Sequence, residues 1–207
     1  MKDPPNLLRA DKFLEIEQSR NTNLLRIVSV DKTNRLTRSC VLALTNAIVQ
    51  LAADSHPLVI SGNRRFFSVG ADLNEIAALT APEAYEFSQM GQALMNSIAN
   101  FPATVIAAVE GHCMGGGFDL ALACHRRIAA PNAVFGHRGA ALGLITGWGG
   151  TQRLPRLIGK ARALELFVAA EKVTAHRALE IGLVDSIADD PLAEALSNPR
   201  GEQAPKR

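Results

Sequence analysis

The chain has 207 residues, 47% of them hydrophobic, which is enough for one ordinary globular domain with a packed core and too few for two. Its 22 basic and 20 acidic residues leave a net charge of +2 with no basic stripe interleaved with aromatic residues, so we expect no nucleic-acid partner. The amino terminus lacks the apolar core of a signal peptide and no segment is long and apolar enough to span a bilayer, so we expect a cytoplasmic protein with no membrane partner.

The first part of the chain predicts a β-β-α unit. The segments "FLEIEQ" and "NLLRIVSV" predict two neighbouring strands. The segment "TRSCVLALTNAIVQLAAD" predicts a helix, because its apolar residues recur at the spacing of one helical face. These apolar residues are Val41, Leu44, Ile48 and Leu51.

The following segments continue the alternation of strands and helices. We expect "HPLVISG" to form a short buried strand, and "NRRFFSVGADLNEI" to begin as irregular chain before a brief helix that opens near Asp72. Thr80 to Glu83 is a capping-box sequence with proline in the first turn, which predicts the start of a helix running towards Asn100.

Three consecutive glycines, Gly115–Gly117, follow the predicted buried strand "PATVIAAVEG" and open the predicted helix "FDLALAC". Glycine is a poor helix former, so three in a row require a physical reason. Further along we expect two short strands, a helix interrupted at Pro155 and a helix from Thr174 to a stop at Gly182, in the segments "RRIAA", "AVFG", "GGTQRLPRLIGKARALELFVAA" and "TAHRALEIGLV".

The cysteines predict neither a disulfide framework nor a metal site. Cys40, Cys113 and Cys124 are odd in number and show no Cys-x-x-Cys spacing, so we expect buried thiols that pack as small apolar residues. The carboxyl-terminal residues 198–207 are polar and contain proline, which predicts a disordered tail. The rest of the chain, 1–197, is then a single domain.

Two segments share one predicted geometry. "SVGADL" and "MGGGFDL" each pass through glycine into a helix with an aspartate in its first turn. Such helix starts present backbone N–H groups, and two of them aimed at one point would form an oxyanion hole for thioester chemistry. The alternative is that the glycines only allow a close contact between a helix and a strand, and the sequence leaves both interpretations open.

Four segments, in their amino-acid sequences and in their order along the chain, resemble the crotonase family, the enoyl-CoA hydratase/isomerase superfamily. The segments are "FFSVGADLNEI", "AAVEGHCMGGGFDLALAC", "AVFGHRGAALGLITGWGGTQRLPRLIGK" and "VTAHRALEIGLVDSI", and the resemblance runs from about Phe13 to Leu196. It implies an α/β fold, a spiral of β-β-α units, and binding of an acyl-CoA thioester. It also implies a homo-oligomer, a trimer or a hexamer, acting in fatty acid metabolism.

The resemblance also assigns backbone roles. By similarity, the N–H groups of Ala71 and Gly116 form the oxyanion hole. The coenzyme A part of the substrate lies along the preceding loop, formed by Phe67, Ser68, Val69 and Gly70. We expect no permanently bound cofactor and no metal.

The acid-base positions depart from the family pattern. Hydratases of this family hold a water between two glutamates, and the corresponding positions here are Asp119 and Gly139. Asp119 is therefore the one inherited acid-base candidate, although it could also simply complement the dipole of its helix. The substrate pocket is expected to include Gly139 together with His137 and Trp148. A lone histidine without a visible partner is usually structural, and Trp148 is expected to be a pocket wall.

The resemblance thus favours hydratase or isomerase chemistry, of the lyase or isomerase type, on an enolate held in the oxyanion hole. One alternative is a catalytically silent acyl-CoA-binding or assembly subunit that has lost the paired glutamates. Another is a hydrolase of the Clp protease type, for which Ser68 is present but no histidine is placed by a motif to activate it. Family members typically continue beyond "DPLAEAL" into helices that cover the acyl pocket, and we expect this extension to be shortened or absent here.

Overall fold

The computed structural model describes residues 6–19 and 21–200. The strands, in chain order, are β1 Asn6–Ala10, β2 Leu14–Ser19, β3 Thr22–Ile27, β4 Arg35–Leu36, β5 Leu58–Ser61, β6 Phe66–Ser68, β7 Gly70–Ala71, β8 Val105–Val109, β9 His112–Met114, β10 Arg126–Ala129, β11 Val134–Gly136, β12 Val173–Thr174 and β13 Ser186–Ile187. The helices are α1 Arg38–Leu51, α2 Leu73–Ala77, α3 Ala81–Ala99, α4 Gly116–Ala123, α5 Gly150–Ile158, α6 Lys160–Ala169, α7 Ala175–Glu180 and α8 Pro191–Ser197. Short 3₁₀ turns cover Ala52–Asp54 and Gly139–Leu142.

The larger sheet has the strand order β1-β2-β3-β5-β8-β10-β13. Its first three strands are antiparallel, and the remaining neighbours are parallel. The predicted pair "FLEIEQ" and "NLLRIVSV" is confirmed as β2 and β3, with Leu14 opposite Ile27. Strand β1, which adds an edge to this pair, was not predicted.

The core forms on both faces of this sheet because side chains alternate along each strand. In β8, Val105 and Val109 belong to the main cluster with α1 and α3, whereas Ile106 faces a second cluster. Helix α8 covers that second face through Ala195. The apolar stripe predicted for α1 is confirmed, since its members Val41, Leu44, Ile48 and Leu51 are all buried.

A second sheet is formed mainly by short strands that each come directly after a parallel strand of the first sheet. Its order is β12-β11-β9-β6, and β6, β9 and β11 run parallel to one another. Because β6, β9 and β11 follow β5, β8 and β10 along the chain, each turn of the chain adds one strand to each sheet. This is the spiral of β-β-α units expected from the sequence.

Three short strands around the glycine turns were not predicted. The predicted irregular stretch before Asp72 contains β6 and β7, and β9 separates β8 from the three glycines. Strands of two or three residues are too short to show a period in sequence, and they form here because the spiral stacks them on their neighbours.

The predicted helix break at Pro155 is wrong. Pro155 lies inside α5, and the chain turns at Gly159, whose φ of +88° ends α5 and starts α6. Proline removes one N–H donor and crowds the carbonyl four residues earlier, but the chain here changes direction at Gly159, because glycine adopts a positive φ without steric cost.

The helix caps follow the sequence predictions. Thr80 and Glu83 form the expected capping box at α3, and Asp72 accepts a hydrogen bond from the Asn74 N–H at the start of α2. Thr174 caps α7, and Gly182 follows that helix with a φ of +76°. Of the expected tail, residues 198–200 form a bend and turn after α8, whereas residues 201–207 lie outside the described residues.

The cysteines are free and buried as predicted. Burial raises the pKa of the Cys40 and Cys124 thiols to about 12, so these side chains behave as apolar groups. Within the described ranges, no helix has the length and apolar composition needed to cross a membrane.

A buried arginine attaches the end of the spiral to the main sheet. Arg127 in β10 donates from Nε to the Leu183 carbonyl at 2.7 Å and from Nη1 to the Cys124 carbonyl at 2.8 Å. Its guanidinium lies 3.5 Å from an Asp185 carboxylate oxygen. Burial lowers the pKa of Arg127, and the charge of Asp185 partly offsets this effect.

We expect Arg127→Met to lower the free energy of unfolding by about 2–4 kcal/mol, because two buried carbonyls lose their donors. Arg177→Met is the matched control, since Arg177 forms an exposed ion pair with Glu180 and should contribute less than about 1 kcal/mol. Urea denaturation of both variants measures the difference. Equal losses would contradict the structural role of Arg127.

Candidate active site

An apolar cavity of about 710 Å³ lies beside the two glycine turns. Its walls come from the segment 69–79, from α3, from the start of α4, from the loop 137–148 and from α6. Most of the lining side chains are aliphatic or aromatic, which suits an apolar ligand. The polar and charged side chains on the wall are Ser88, Asp119, His137, Arg138 and Thr146.

The spiral brings the two glycine turns into backbone contact. Gly70 has a φ of +90°, and a Cβ built on it would lie 2.9 Å from the Gly116 nitrogen and 2.6 Å from the Met114 carbonyl oxygen. A Cβ on Gly116 would lie 3.4 Å from the Ala71 nitrogen. The backbone nitrogens of Ala71 and Gly116 therefore lie near each other, and both residues line the cavity.

Each of the three consecutive glycines has its own steric reason. Gly115 adopts a φ of +52° as the residue that precedes α4. A Cβ on Gly116 would lie 2.4 Å from the Trp148 ring, and a Cβ on Gly117 would lie 2.6 Å from the Ser68 Cβ. The close contact between helix and strand is thus present, and the same contact aligns the two amides.

Trp148 closes one wall of the cavity. Its ring lies between Gly91 of α3 and Gly116 of α4, because a Cβ on either glycine would overlap the ring, at 2.2 Å and 2.4 Å respectively. Its indole Nε1 donates to the Phe87 carbonyl at 3.3 Å, and the two rings lie 5.4 Å apart. Trp148 is buried and contacts the cavity, which agrees with its predicted position as a wall.

Asp119 lies in the first turn of α4 and is 1% exposed. The Thr146 hydroxyl donates to its Oδ2, and the His137 Nε2 lies 3.2 Å from its Oδ1. A Cβ on Gly150 would lie 2.2 Å from Asp119 Oδ1, so the carboxylate fits only because position 150 carries no side chain. The sequence analysis missed Thr146 and Gly150, and no local pattern in the loop marks either residue as a partner of Asp119.

A half-buried arginine, Arg153, adds positive charge near this carboxylate. Burial lowers the pKa of the Arg153 guanidinium, and the negative charge of Asp119 offsets part of that effect. Arg153 Nη2 donates to Asn96 Oδ1 at 2.8 Å and its Nη1 donates to the Trp148 carbonyl at 3.3 Å. The guanidinium therefore ties α5 to α3 and places positive charge near Asp119.

Gly139 lies on the cavity wall but leaves no free space for a side chain. A Cβ there would lie 2.7 Å from the Leu144 carbonyl oxygen, and the Leu144 N–H donates to the Gly139 carbonyl at 2.8 Å. The loop folds back on itself at this point. A carboxylate at position 139 would require this loop to open.

The residues predicted to contact coenzyme A divide into two groups. Val69 lines the cavity, whereas Phe67 lies in the core and Gly70 packs against the Met114–Gly116 turn. Ser68 is buried, and its hydroxyl donates to the Asn34 carbonyl at 2.7 Å while accepting from the Gly70 N–H at 3.0 Å. A hydroxyl held this way stabilises the turn, and the structure brings no histidine to it among the described hydrogen bonds.

Comparison with known proteins gives consistent matches. A family model described as "Enoyl-CoA hydratase/isomerase" matches residues 19–199. A probable enoyl-CoA hydratase of Bacillus subtilis is 40% identical over 181 residues, covering 84% of this chain and 70% of the relative. The fatty acid oxidation complex subunit alpha of Shewanella halifaxensis is 38% identical over 148 residues, covering 69% of this chain but 21% of the relative.

Solved structures match over most of the chain. DspI of Pseudomonas aeruginosa superposes with a TM-score of 0.87 at 34% identity, covering 93% of this chain and 75% of that protein. An enoyl-CoA hydratase from Bacillus anthracis superposes with a TM-score of 0.83 at 32% identity, covering 89% of this chain and 73% of that protein.

We expect Gly150→Ala to lower the free energy of unfolding by about 1–3 kcal/mol, because the new methyl group would overlap Asp119 Oδ1 and lie 2.8 Å from His137 Nε2. Gly147→Ala is the matched control, because its methyl group meets only the Ser88 side chain, at 3.2 Å. Urea denaturation followed by Trp148 fluorescence compares the two. A harmless alanine at position 150 would contradict the tight packing around Asp119.

Proposed function

The chain belongs to the enoyl-CoA hydratase/isomerase family, and from this premise we propose that its cavity binds the acyl part of a coenzyme A thioester and carries out hydratase or isomerase chemistry there. The observation that carries the proposal is the position of two glycine-turn amides, Ala71 in β7 and Gly116 at the start of α4, beside a buried carboxylate on the wall of one apolar cavity. An apolar wall suits an acyl chain, and the polar groups are concentrated where a reacting thioester would lie.

The amides of Ala71 and Gly116 are proposed to bind the thioester carbonyl oxygen. An enolate carries negative charge on this oxygen, so donors fixed in advance stabilise the enolate more than the uncharged substrate. Gly116 opens α4, whose first-turn amides have no partner within the helix and whose dipole adds positive potential. The contact between the two turns fixes both donors before substrate binds.

Asp119 is proposed to transfer the proton. Its carboxylate lies three residues into the helix that supplies one oxyanion donor, so both groups face the same bound thioester. Thr146 holds one carboxylate oxygen and leaves the other for chemistry. In hydration, the carboxylate would take a proton from water as the water oxygen adds to the β-carbon, and the resulting enolate would be protonated at the α-carbon.

The remaining parts of the proposal concern the coenzyme and the assembly. Coenzyme A would enter as part of the substrate, along the backbone near Val69, and no cofactor would stay bound between turnovers. We also propose a homo-oligomer in the cytoplasm, a trimer or a hexamer as in the family. Exposed apolar side chains beside the cavity, Ile145, Leu164 and Val168, are consistent with a covered surface.

The oxyanion hole is tested with Gly116→Ala and Gly91→Ala. Both methyl groups press on the Trp148 ring, but only the one at position 116 also occupies the space beside the Ala71 N–H. We expect kcat for enoyl-CoA conversion to fall about 100-fold in Gly116→Ala, which is typical for loss of one oxyanion donor, and much less in Gly91→Ala. Equal losses in the two variants would assign the effect to Trp148 and contradict the oxyanion hole.

The role of Asp119 is tested with Asp119→Asn, which keeps the size of the side chain and an acceptor for Thr146. Mass spectrometry of saturated, enoyl and malonyl-type thioesters identifies the reaction, and calorimetry measures thioester binding. We expect turnover to fall by about 100-fold or more while binding is kept. Glu110→Gln, outside the cavity lining, is the control. Unchanged turnover in Asp119→Asn would refute the assignment, and binding without turnover in the wild type would favour the catalytically silent subunit.

A further inference from the structure

The polar atoms of His137 and Asp119 that face each other have no other hydrogen-bond partner. His137 follows β11, is 6% exposed and contacts the same cavity as Asp119. His137 Nε2 and Asp119 Oδ1 are both fully buried, and no described residue gives either atom a hydrogen bond of good geometry. Their separation is 3.2 Å, within the range of an ion pair. Buried polar atoms are nearly always satisfied, so two unsatisfied atoms side by side on a cavity wall require an explanation.

Packing holds the imidazole in this position without using Nε2. The His137 ring lies 4.8 Å from the Phe118 ring and 5.4 Å from the Phe167 ring, measured between centroids. These aromatic neighbours offer no strong acceptor to the ring nitrogen. The orientation of the imidazole is thus set by apolar contacts, and its Nε2 faces Asp119 Oδ1 at 3.2 Å.

The neighbouring residues place no side chain between Asp119 Oδ1 and His137 Nε2. Thr146 occupies Oδ2 of Asp119, so Oδ1 is the oxygen that faces His137. A Cβ on Gly150 would lie 2.2 Å from Oδ1 and 2.8 Å from Nε2, so any side chain at position 150 would intrude on the pair. The other charged group near Asp119 is Arg153, which donates to Asn96 and to the Trp148 carbonyl. Arg153 therefore adds positive charge near the pair while its own hydrogen bonds go elsewhere.

We propose that His137 is a second catalytic acid-base residue and that it works as a pair with Asp119; this inference rests on the proposed thioester function. Asp119 Oδ1 accepts the proton of a water molecule as the water oxygen forms its bond to the β-carbon of an enoyl thioester. The π electrons move into the enolate held by the Ala71 and Gly116 amides. His137 Nε2–H then donates its proton to the α-carbon, and the thioester carbonyl re-forms.

The pair is regenerated by a proton transfer across the 3.2 Å between its two atoms. The proton taken up by Asp119 Oδ1 passes to His137 Nε2, which restores the starting carboxylate and the protonated imidazole. The substrate has then gained one water, and the protein has taken up one proton and released one, so its own proton count is unchanged. A chain with one carboxylate at the site thus has two groups for the two proton transfers, because the imidazole supplies the second.

The test compares two substitutions at His137. Glutamine keeps a donor that can hydrogen-bond Asp119 but cannot release a proton, whereas phenylalanine keeps the contacts with Phe118 and Phe167 and removes the polar edge. His112→Gln is the matched control, since His112 is half-buried against Phe66 and lies outside the cavity lining. Thermal unfolding verifies that each variant is folded.

Two measurements are made on each protein. Calorimetry with saturated acyl-CoA, which cannot be hydrated, gives Kd, and a panel of short, medium and long enoyl-CoA thioesters gives kcat and KM. We expect kcat to fall about 100-fold or more in both His137 variants, the range for loss of a general acid, while Kd changes less than about threefold. The His112→Gln control should match the wild type.

Several results would overturn the proposal. Full kcat in His137→Gln with a loss in His137→Phe would make His137 a positioning residue for Asp119 and not a proton donor. Full kcat in both variants would remove any role in the reaction. A wild type that binds saturated acyl-CoA but converts no enoyl-CoA would refute the catalytic pair and leave thioester binding intact. A wild type that binds no thioester would refute the proposed function itself.

Discussion

The site depends on one steric constraint, the contact between two pieces of backbone that carry no side chains. Gly70 meets the Met114–Gly116 turn at distances that exclude a Cβ on Gly70, and the Trp148 ring excludes a Cβ on Gly116. Two consecutive turns of the spiral can approach this closely because Gly70 carries no side chain and adopts a φ of +90°. This contact sets the relative position of the Ala71 and Gly116 amides, and the proposed oxyanion hole depends on that position.

The second constraint is the burial of a carboxylate in an apolar cavity. Taking Asp119 out of water is costly unless hydrogen bonds and opposite charge compensate. Thr146 supplies one hydrogen bond, and His137 and Arg153 supply positive or polar groups nearby. These partners come from the residue that follows β11, from the loop before α5 and from α5 itself, so Asp119 of α4 is surrounded by segments that come later in the chain. The aspartate does more than complement the dipole of its own helix, because the surrounding fold is arranged around it.

The sequence predicts the backbone of this site better than its side chains. The two glycine turns were found because glycine before a helix has a local signature, and the amphipathic α1 was found because its period is strong. The partners of Asp119 were not found, because Thr146 and Gly150 act through contacts that only the tertiary fold creates. Pro155 misled the prediction for a related reason. Pro155 stays inside α5, and the helix ends one turn later at Gly159, which adopts a positive φ.

The loop 137–149 contacts both the buried carboxylate of Asp119 and the Gly116 turn. At one end the His137 ring packs between Phe118 and Phe167, and at the other the Trp148 ring fills the space that Gly91 and Gly116 leave open. Between these anchors the loop exposes aliphatic side chains on the cavity wall and closes on itself at Gly139. Because His137, Thr146 and Trp148 carry the groups nearest to Asp119 and to the paired amides, the exposed residues 140–145 can change the shape of the acyl cavity without moving them. The fold thereby separates the residues that position the reaction from those that shape the apolar wall.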